Sequence, residues 1–269
     1  MSVSPSVSLV IPLYNQVDFT RQCVESIERC TPSPYELILV DNGSTDGTRE
    51  FLHSVQATVI ANATNLGCAK AWNQGVRAAT GTVIGILNND IVVTPGWLAG
   101  LLKFMERDGH GIVSPAAREG RLNYDLDGYA REFTRSCAGA TRSAMYGACM
   151  VIHRRVFDRI GFFDEGFHYG GCEDIDFLWR TRAAGFSVAT TGSVLIHHFS
   201  MVTQDAIKKT ETRAYPKENL SHFEGKWKRT VRGNWASRRW EDLKSSWVKR
   251  YERMRYGHTL IEKDSGREC

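Results

Sequence analysis

The residues best suited to chemistry in this 269-residue chain are acidic and amide side chains at the ends of predicted elements. The densest group runs from Glu173 to Asp176 and places three carboxylates in four residues at a predicted helix start. A helix dipole and capping account for one or two acids at such a position. Crowded carboxylates raise one another's pKa, which suits a general base. We therefore predict a functional site at this helix tip.

Two further polar motifs follow predicted buried strands. Asn88-Asn89-Asp90 offers one carboxylate, and Mg²⁺ or Mn²⁺ can be held by one carboxylate together with diphosphate oxygens and water. Asp41-Asn42-Gly43-Ser44 offers an acceptor for a base N–H and a glycine that lets a ligand approach the backbone. Each motif alone also fits an ordinary turn, so both interpretations stay open for each.

The adjacent pair His197-His198 ends the last predicted strand. Neighbouring strand residues point to opposite faces, so at most one imidazole can face a site there. Neutral imidazole is a common metal ligand, but a purely structural role explains a lone histidine equally well.

The elements that must position these residues alternate between strands and helices in the first part of the chain. That alternation predicts an α/β fold with βαβ units and a mostly parallel sheet, whose ligands lie outside the carboxyl ends of the strands. Residues 118–142 lack a clear pattern and are predicted to be an irregular loop region. The predicted strands are Val7–Leu13, Glu36–Val40, Thr58–Ala61, Thr82–Leu87, Ser143–His153, Ser187–Thr190 and Val194–His198, and the predicted helices include Asp18–Arg29, Gly67–Ala79, Arg154–Ile160 and Glu173–Ala184.

The net charge of +4 is concentrated near the C-terminus. Residues 217–257 contain twelve Lys or Arg and five Asp or Glu, a balance of +7, which leaves −3 for the remainder. Tryptophans are interspersed there, with near-helical spacings that favour packing on the body or on a second subunit. An anionic membrane surface is the alternative partner. The aromatics match no nucleic-acid recognition motif, so no nucleic-acid partner is expected. The tryptophans are Trp227, Trp235, Trp240 and Trp247.

Several function classes are excluded by missing motifs. The sequence contains no GxGxxG after its first strand, no GxxxxGK[ST] and no GxSxG. Its seven cysteines form no CxxC pair, which argues against a disulfide framework or a zinc ribbon. No apolar run is shaped like a signal peptide or is long enough to span a bilayer. A cytoplasmic protein, with peripheral contact at the inner face of the membrane as a variant, is therefore expected.

Taken together and in order, the motifs resemble the family 2 glycosyltransferases, which have the GT-A fold, a Rossmann-like fold for nucleotide-diphospho-sugar transfer. The stretches that carry the resemblance include VSLVIPLYNQ, ELILVDNGSTDGT, NLGCAKAWNQGV, GTVIGILNNDIVVTPGWL, GACMVIHR, GFFDEGFHYGGCEDIDFLWR and VLIHHFS. They extend from about Val7 to Ser200. The forms LNND and EDIDFLWR look most like the rhamnosyltransferase-like branch of bacterial surface-polysaccharide enzymes.

The resemblance assigns roles to individual residues. Asp90 stands at the last position of the family's DxD motif and would hold Mn²⁺ or Mg²⁺, with His197 favoured over His198 as a second ligand. Asp174 would be the catalytic base, with Glu173 as the alternative. The sugar and acceptor pocket would be lined by Gly147, Ala148 and Trp179. The residues expected to bind the nucleotide sugar are Pro12, Tyr14, Asn15, Asp41, Gly43, Asn65, Gly67, Lys70, Asn88, Asn89 and Asp90.

The reaction implied by the resemblance is inverting transfer of a sugar from a UDP- or dTDP-linked donor to a hydroxyl of a glycan or lipid-linked acceptor. A catalytic domain is expected over residues 1–202, with a nucleotide-binding part at about 1–110 and an acceptor-binding part at 111–202. A helical, basic, Trp-rich segment is expected over 203–269. A nucleotidyltransferase would instead need a Gly-rich, Arg-containing loop where this chain has PLYNQ. A non-catalytic nucleotide-sugar-binding or membrane-scaffolding protein is the remaining alternative.

Overall fold

The structure is a computed structural model that describes residues 7–32, 34–200, 215–228 and 235–263. Its strands are β1 (Val7–Leu13), β2 (Glu36–Asp41), β3 (Thr58–Ala61), β4 (Val83–Leu87), β5 (Ile91–Val93), β6 (Ile112–Glu119), β7 (Thr141–Arg142), β8 (Cys149–His153), β9 (Val188–His198) and β10 (Ile261–Lys263). Its helices are α1 (Val17–Cys30), α2 (Thr48–Leu52), α3 (Cys68–Ala78), α4 (Trp97–Asp108), α5 (Leu126–Ser136), α6 (Arg154–Ile160), α7 (Glu173–Ala183), α8 (Tyr215–Trp227) and α9 (Trp235–Tyr256).

These strands form one mixed sheet in the order β3-β2-β1-β4-β8-β6-β9-β5, with β10 beside β6 and β7 beside β9. The pairs β1·β2, β1·β4 and β2·β3 are parallel, which confirms the predicted βαβ half. Beyond β4 the sheet is mixed, because β8 runs antiparallel to both β4 and β6. The carboxyl ends of β1 and β4 and the start of β8 therefore meet at one edge.

The sheet is covered on both faces, as the nearly continuous apolar sequence of β1 requires. Leu9 and Ile11 belong to a core cluster shared with α1 and α4, whereas Val10 belongs to a second cluster shared with α3, α6 and α7. This division follows from the alternation of side chains along a strand. Burying both faces fixes the register of β1, and so fixes where its polar carboxyl end lies.

Two element predictions were wrong. The stretch predicted to be an irregular loop contains α5, which Asp125 caps by accepting a hydrogen bond from the Gly128 N–H. Its apolar residues Leu126, Ala130 and Phe133 recur at helical spacing and are buried. The two short strands predicted near the end are one strand, β9. An irregularity takes up the extra residues, since Pro115 pairs with Thr191 and Ala116 with Leu195.

The C-terminal helices are attached to the rest of the molecule through α7 and the sheet. Trp227 in α8 packs edge-on against Trp179 in α7, as predicted for a packing tryptophan. The strand β10 joins the sheet beside β6. The domain boundary near residue 202 stays a prediction, and the side chains of Trp235 and Trp240 lie outside the described residues. The six cysteines in the described part are free thiols. Within that part, every helix is too short or too polar to cross a bilayer.

Candidate active site

An open cavity of about 380 Å³ lies at the sheet edge where β1 and β4 end and β8 begins. That volume falls within the usual range for a small-molecule site, roughly 300–1,000 Å³. Pro12 and Tyr14 line it from the end of β1, and Asn88, Asn89 and Asp90 from the end of β4. Gly147 and Ala148 line it from the entry to β8, and Glu173 and Asp174 from the tip of α7.

Asp90 and His198 form the most polar corner of the cavity. The carboxylate Oδ1 of Asp90 lies 3.2 Å from Nε2 of His198. Strand pairing sets this contact, because β5 follows Asp90 directly and runs antiparallel to β9 with Ile91 opposite His198. The Phe199 N–H also donates to the carbonyl of Asp90 over 2.9 Å.

Tyr146 and Glu119 complete this corner from the other side of the imidazole. The Tyr146 hydroxyl donates to Oε1 of Glu119 over 2.8 Å and lies 2.6 Å from Nδ1 of His198. Burial lowers the pKa of His198, but Asp90 and Glu119 outweigh burial and raise that pKa to about 9. The hydrogen bond with His198 in turn holds the pKa of Glu119 near 2, against the effect of burial. The corner is thus built to hold positive charge between two carboxylates.

The donor set of this corner fits a divalent cation that also binds a diphosphate. Asp90 offers a carboxylate oxygen, and His198 would offer its Nε2 nitrogen once the cation displaces the proton there, while Tyr146 orients the ring from its far nitrogen. Among the described residues no group of three or more His, Cys, Asp or Glu is arranged to hold a metal ion. The remaining ligands would therefore come from phosphate oxygens and water, as is common for Mg²⁺.

Of the two histidines, the structure places His198 at the cavity and His197 away from it. His197, which the sequence favoured, is fully buried on the opposite side of β9, with Nδ1 2.9 Å from the Tyr124 hydroxyl. Burial, and then the charge of His198, lower the pKa of His197 to about 4. His198 lines the cavity instead. The alternation of the strand was foreseen, but its register against β5 could not be read from the sequence.

The tip of α7 presents Glu173 and Asp174 to the cavity. Oδ1 of Asp174 accepts a hydrogen bond from the Ile175 N–H, and Oε2 of Glu173 is buried without a hydrogen-bond partner in the described part of the chain. Burial raises the pKa of Glu173 to about 8, helped by the charge of Asp174, and burial also raises the pKa of Asp174. A Cβ at Gly147 would lie 2.6 Å from Oδ2 of Asp174, so only glycine lets this carboxylate approach the strand.

The third acid of the cluster has a structural role. Asp176 is fully buried and accepts from Nε of Arg180 over 2.8 Å. It also accepts from Nε1 of Trp227 over 3.0 Å, and Nζ of Lys226 lies 2.8 Å from it. One carboxylate therefore ties α8 to α7, which leaves two for chemistry.

On the side predicted to bind the nucleotide, Asn42 rather than Asp41 reaches the cavity. The Asp41 carboxylate is buried and occupied, since Oδ1 accepts from the Ser44 N–H and Oδ2 from Nε of Arg49, both over 2.9 Å. Asn42 donates to Oδ1 of Asn65, which also lines the cavity. Asp41, which was expected to bind the base, is therefore buried behind the residues that line the cavity.

Other predicted residues lie outside the wall of the cavity. Asn15 lines a neighbouring depression, and its side chain accepts from the Thr45 N–H. Trp179 packs against Phe223 and Trp227 rather than lining the pocket, because α8 covers that side of α7. Gly43, Gly67 and Lys70 are also absent from the wall. Gly67 still shapes the cavity, since a Cβ there would lie 2.9 Å from the backbone nitrogen of Tyr169, which does line it.

Several cavity residues carried no signal in the sequence. Glu119 lies in β6, at the start of the stretch read as irregular, and Lys263 lies in β10, which was not predicted. Tyr146 falls within the predicted strand Ser143–His153, but the observed strand begins only at Cys149. Tyr169 lies in the loop before α7. Nζ of Lys263 is 3.4 Å from Oε2 of Glu119, because β10 pairs with β6. Wall residues to which the sequence assigned no role of their own include Leu13, Asn42, Cys68, Trp72, Glu119, Tyr146, Tyr169, Ser200 and Lys263.

A mixed α/β sheet with this polar edge defines the GT-A class of folds, and comparison with known proteins agrees. The crystal structure of GalNAc-T7 with UDP, GalNAc and Mn²⁺ superposes with a TM-score of 0.59 at 19% identity, covering 74% of this chain and 44% of that one. The family model of glycosyl transferase family 2 matches residues 8–210. The chain belongs to that family.

Curated relatives extend the comparison. An uncharacterized protein of Sinorhizobium fredii, y4gI, is 27% identical over 85% of this chain. The O-antigen biosynthesis protein RfbC of Myxococcus xanthus is 28% identical over 77% of this chain, in keeping with the resemblance to the surface-polysaccharide branch. This chain spans only 28% of the first relative and 18% of the second.

Proposed function

We propose that this protein is a metal-dependent, inverting glycosyltransferase that takes a UDP- or dTDP-linked sugar and glycosylates a hydroxyl of a glycan or lipid-linked acceptor. The observation that carries the proposal is the convergence of two different groups on one cavity: the Asp90–His198 pair and the Glu173–Asp174 pair. The first suits a cation with its diphosphate, and the second suits a base. Membership of the family and the Mn²⁺ and UDP bound by GalNAc-T7 support it.

Asp90 and His198 would hold the divalent cation, which acts as a Lewis acid on the leaving diphosphate. Tyr146 keeps the ring of His198 turned towards Asp90 through the 2.6 Å contact at Nδ1. The cation-holding corner and the end of β1 then define where the donor lies, with Asn42 and Asn65 on the nucleotide side. The protein would also accelerate the reaction by holding the donor carbon about 3 Å from the acceptor oxygen.

The base on the opposite wall is Asp174, with Glu173 as the alternative. A raised pKa makes either carboxylate a better proton acceptor than an exposed one, and positioned base catalysis contributes about 100- to 10,000-fold. A single displacement with one base inverts the anomeric centre. The hydroxyl proton goes to the carboxylate, and the electron pair of the broken bond leaves on the diphosphate.

The proposal is tested by incubating the protein with a panel of UDP- and dTDP-sugars, with Mn²⁺ or Mg²⁺, and with glycan or lipid-linked acceptors. Released nucleotide diphosphate is measured, and the product anomer is assigned by NMR. We expect turnover that chelation abolishes, with loss of at least 100-fold in Asp90→Ala and in Asp174→Asn. Asp18→Asn, an exposed position on α1, is the matched control.

Two results would overturn the proposal. Retention of the donor anomer would contradict a single displacement. Calorimetric binding of a nucleotide diphosphate without turnover over the whole panel would favour a non-catalytic nucleotide-sugar-binding or scaffold protein.

A further inference from the structure

The outer face of α9 carries an apolar stripe made of Trp247, Tyr251 and Met254. These side chains are 67%, 44% and 81% exposed. Their spacing of four and three residues places them within about 60° of one another around the helix. The rings of Trp247 and Tyr251 are stacked with centroids 5.8 Å apart and planes at 13°. The other large exposed hydrophobic residues of the described chain are Val59, Leu66, Phe162 and Ile175, which lie in other elements and loops.

The opposite face of α9 is fixed to the body of the protein. Glu252 is buried, and its carboxylate accepts from Nε and NH2 of Arg142 over 3.1 and 2.6 Å. It also accepts from the Leu260 N–H over 3.0 Å. The stripe therefore points away from the sheet because the helix is attached by its other side.

Cations border the stripe. Arg250 lies about 60° to one side of Trp247 and Arg255 about 80° to the other, at ~100° per residue. Both are exposed. Glu252 is the only acid between residues 246 and 256, and Arg142 neutralises it. An apolar surface edged by arginine and free of acids is complementary to negative charge combined with hydrocarbon.

We propose that this face of α9 docks on an anionic lipid surface, with Trp247, Tyr251 and Met254 entering the interface and Arg250 and Arg255 contacting the headgroups. Aromatic rings and cationic side chains on one helix face are the features that bind such surfaces. A second copy of this chain is disfavoured as the occupant, because a symmetric contact would bring the same arginines together. The inference does not depend on the proposed reaction.

The proposed docking face and the cavity are connected through the chain. The helix α9 ends at Tyr256, and β10 follows with Lys263 on the cavity wall. The surface proposed to touch lipid and the cavity are thus joined by one short segment of chain.

The test is co-flotation of the full chain with vesicles of phosphatidylcholine alone or with about one third phosphatidylglycerol. We expect binding to the anionic vesicles only, weakened by added salt because surface charges are screened. Replacing Trp247, Tyr251 and Met254 together by Ser should lower the bound fraction at least tenfold, and Arg250→Gln with Arg255→Gln should do the same. Val59→Ser with Leu66→Ser removes exposed apolar surface elsewhere and should change nothing.

Folding is checked separately, since all five stripe and border positions are exposed and their variants should melt within a few degrees of the parent. Equal binding to both vesicle types would overturn the proposal, as would unchanged flotation of the triple variant. If the parent failed to float but light scattering showed a dimer that the triple variant lost, the stripe would be an interface between copies instead.

Discussion

Glu173, the alternative base in the proposed reaction, illustrates at the residue scale how a buried carboxyl group can cost stability. Burial and the charge of Asp174 raise its pKa from 4.5 to about 8. A raised carboxyl pKa means that the folded state binds the proton more tightly than the unfolded state. Its contribution to stability is complete below pH 4.5 and is lost as pH rises towards 8. Glu173→Gln should therefore match the parent near pH 4 and exceed it near pH 9.

Urea unfolding at the two pH values measures this effect. We expect Glu173→Gln to raise the free energy of unfolding at pH 9 by on the order of a few kcal/mol, since one pKa unit corresponds to about 1.4 kcal/mol. Glu25→Gln, an exposed position on α1, should show no such pH-dependent difference. A Glu173→Gln protein that is no more stable than the parent at pH 9 would show that the carboxylate is charged and well solvated when folded.

The two adjacent histidines make a second test at this scale. His198 faces Asp90 in the cavity, whereas His197 faces Tyr124 on the other side of β9. His198→Asn should weaken Mn²⁺-dependent binding of UDP or dTDP at least tenfold in calorimetry, because an imidazole ligand is lost. His197→Asn should leave that affinity within about twofold, whatever it does to the melting temperature. The reverse order of effects would restore His197 as the ligand.

At the scale of elements, α8 holds the loop that leads into α7. The Asn219 side chain is buried, accepts from the His168 N–H over 2.8 Å, and donates to the carbonyls of His168 and Gly170 over 2.9 and 3.2 Å. That loop contains Tyr169 and Cys172, two non-glycine residues with positive φ values of 54° and 76°. Such conformations cost about 1–3 kcal/mol each and persist only where neighbours enforce them.

Asn219 should therefore act as a positioning residue for the acidic wall of the cavity. Asn219→Ala should lower kcat about tenfold while leaving the KM for the donor nearly unchanged, because the nucleotide side is held by other elements. Asn219→Asp keeps the accepted hydrogen bond but loses both donated ones, so its kcat should lie between those of the parent and of Asn219→Ala. Lys217→Ala, exposed on the same helix, is the control. Equal loss of donor affinity and kcat would point to general destabilisation instead.

Some elements of this fold follow from the sequence alone, and others depend on contacts between distant parts of the chain. The βαβ half was predictable, because β1 and β4 are apolar runs that end in polar residues, and parallel strands place those ends together. The acidic tip of α7 was predictable from charge crowding. The Glu119–Tyr146–His198 corner was not, because it needs the register of β6, β8 and β9, which pair across long sequence separations. The helix α5 was missed although its apolar spacing is helical, since the glycine-rich, polar surroundings masked it.

The position of Trp179 away from the pocket could not be predicted for a related reason. The residue lies near the proposed catalytic acids in sequence, but helical periodicity turns it towards α8, where it packs against Phe223 and Trp227. The direction of the Trp179 side chain depends on its packing against α8, a helix that comes later in the chain. The sequence of α8 does not indicate which other element it packs against. Local patterns thus specify which elements form, while contacts between distant elements specify which side chains share a cavity.

On the scale of the whole molecule, the ion pair between Glu252 and Arg142 joins α9 to β7 at the sheet. Glu252 is 7% exposed and Arg142 25% exposed as side chains. Glu252 also fixes Leu260, the residue just before β10, and β10 carries Lys263 to the cavity. Removing one partner of such a pair leaves an uncompensated charge and costs more than the pair itself contributes. Glu252→Ala should therefore loosen both α9 and β10.

The expected loss is about 2 kcal/mol in the free energy of unfolding, less than for a fully buried pair because Arg142 is partly exposed. Hydrogen exchange should rise at residues 260–263, and nucleotide diphosphate affinity should fall with the displacement of Lys263. Arg142→Ala combined with Glu252→Ala should recover part of the stability, since neither charge is then left unpaired. Glu106→Ala, exposed on α4, controls for loss of a surface carboxylate. Unchanged exchange at 260–263 in Glu252→Ala would show that β10 is held by its pairing with β6 alone, and the cavity would then be independent of the helix proposed to dock on lipid.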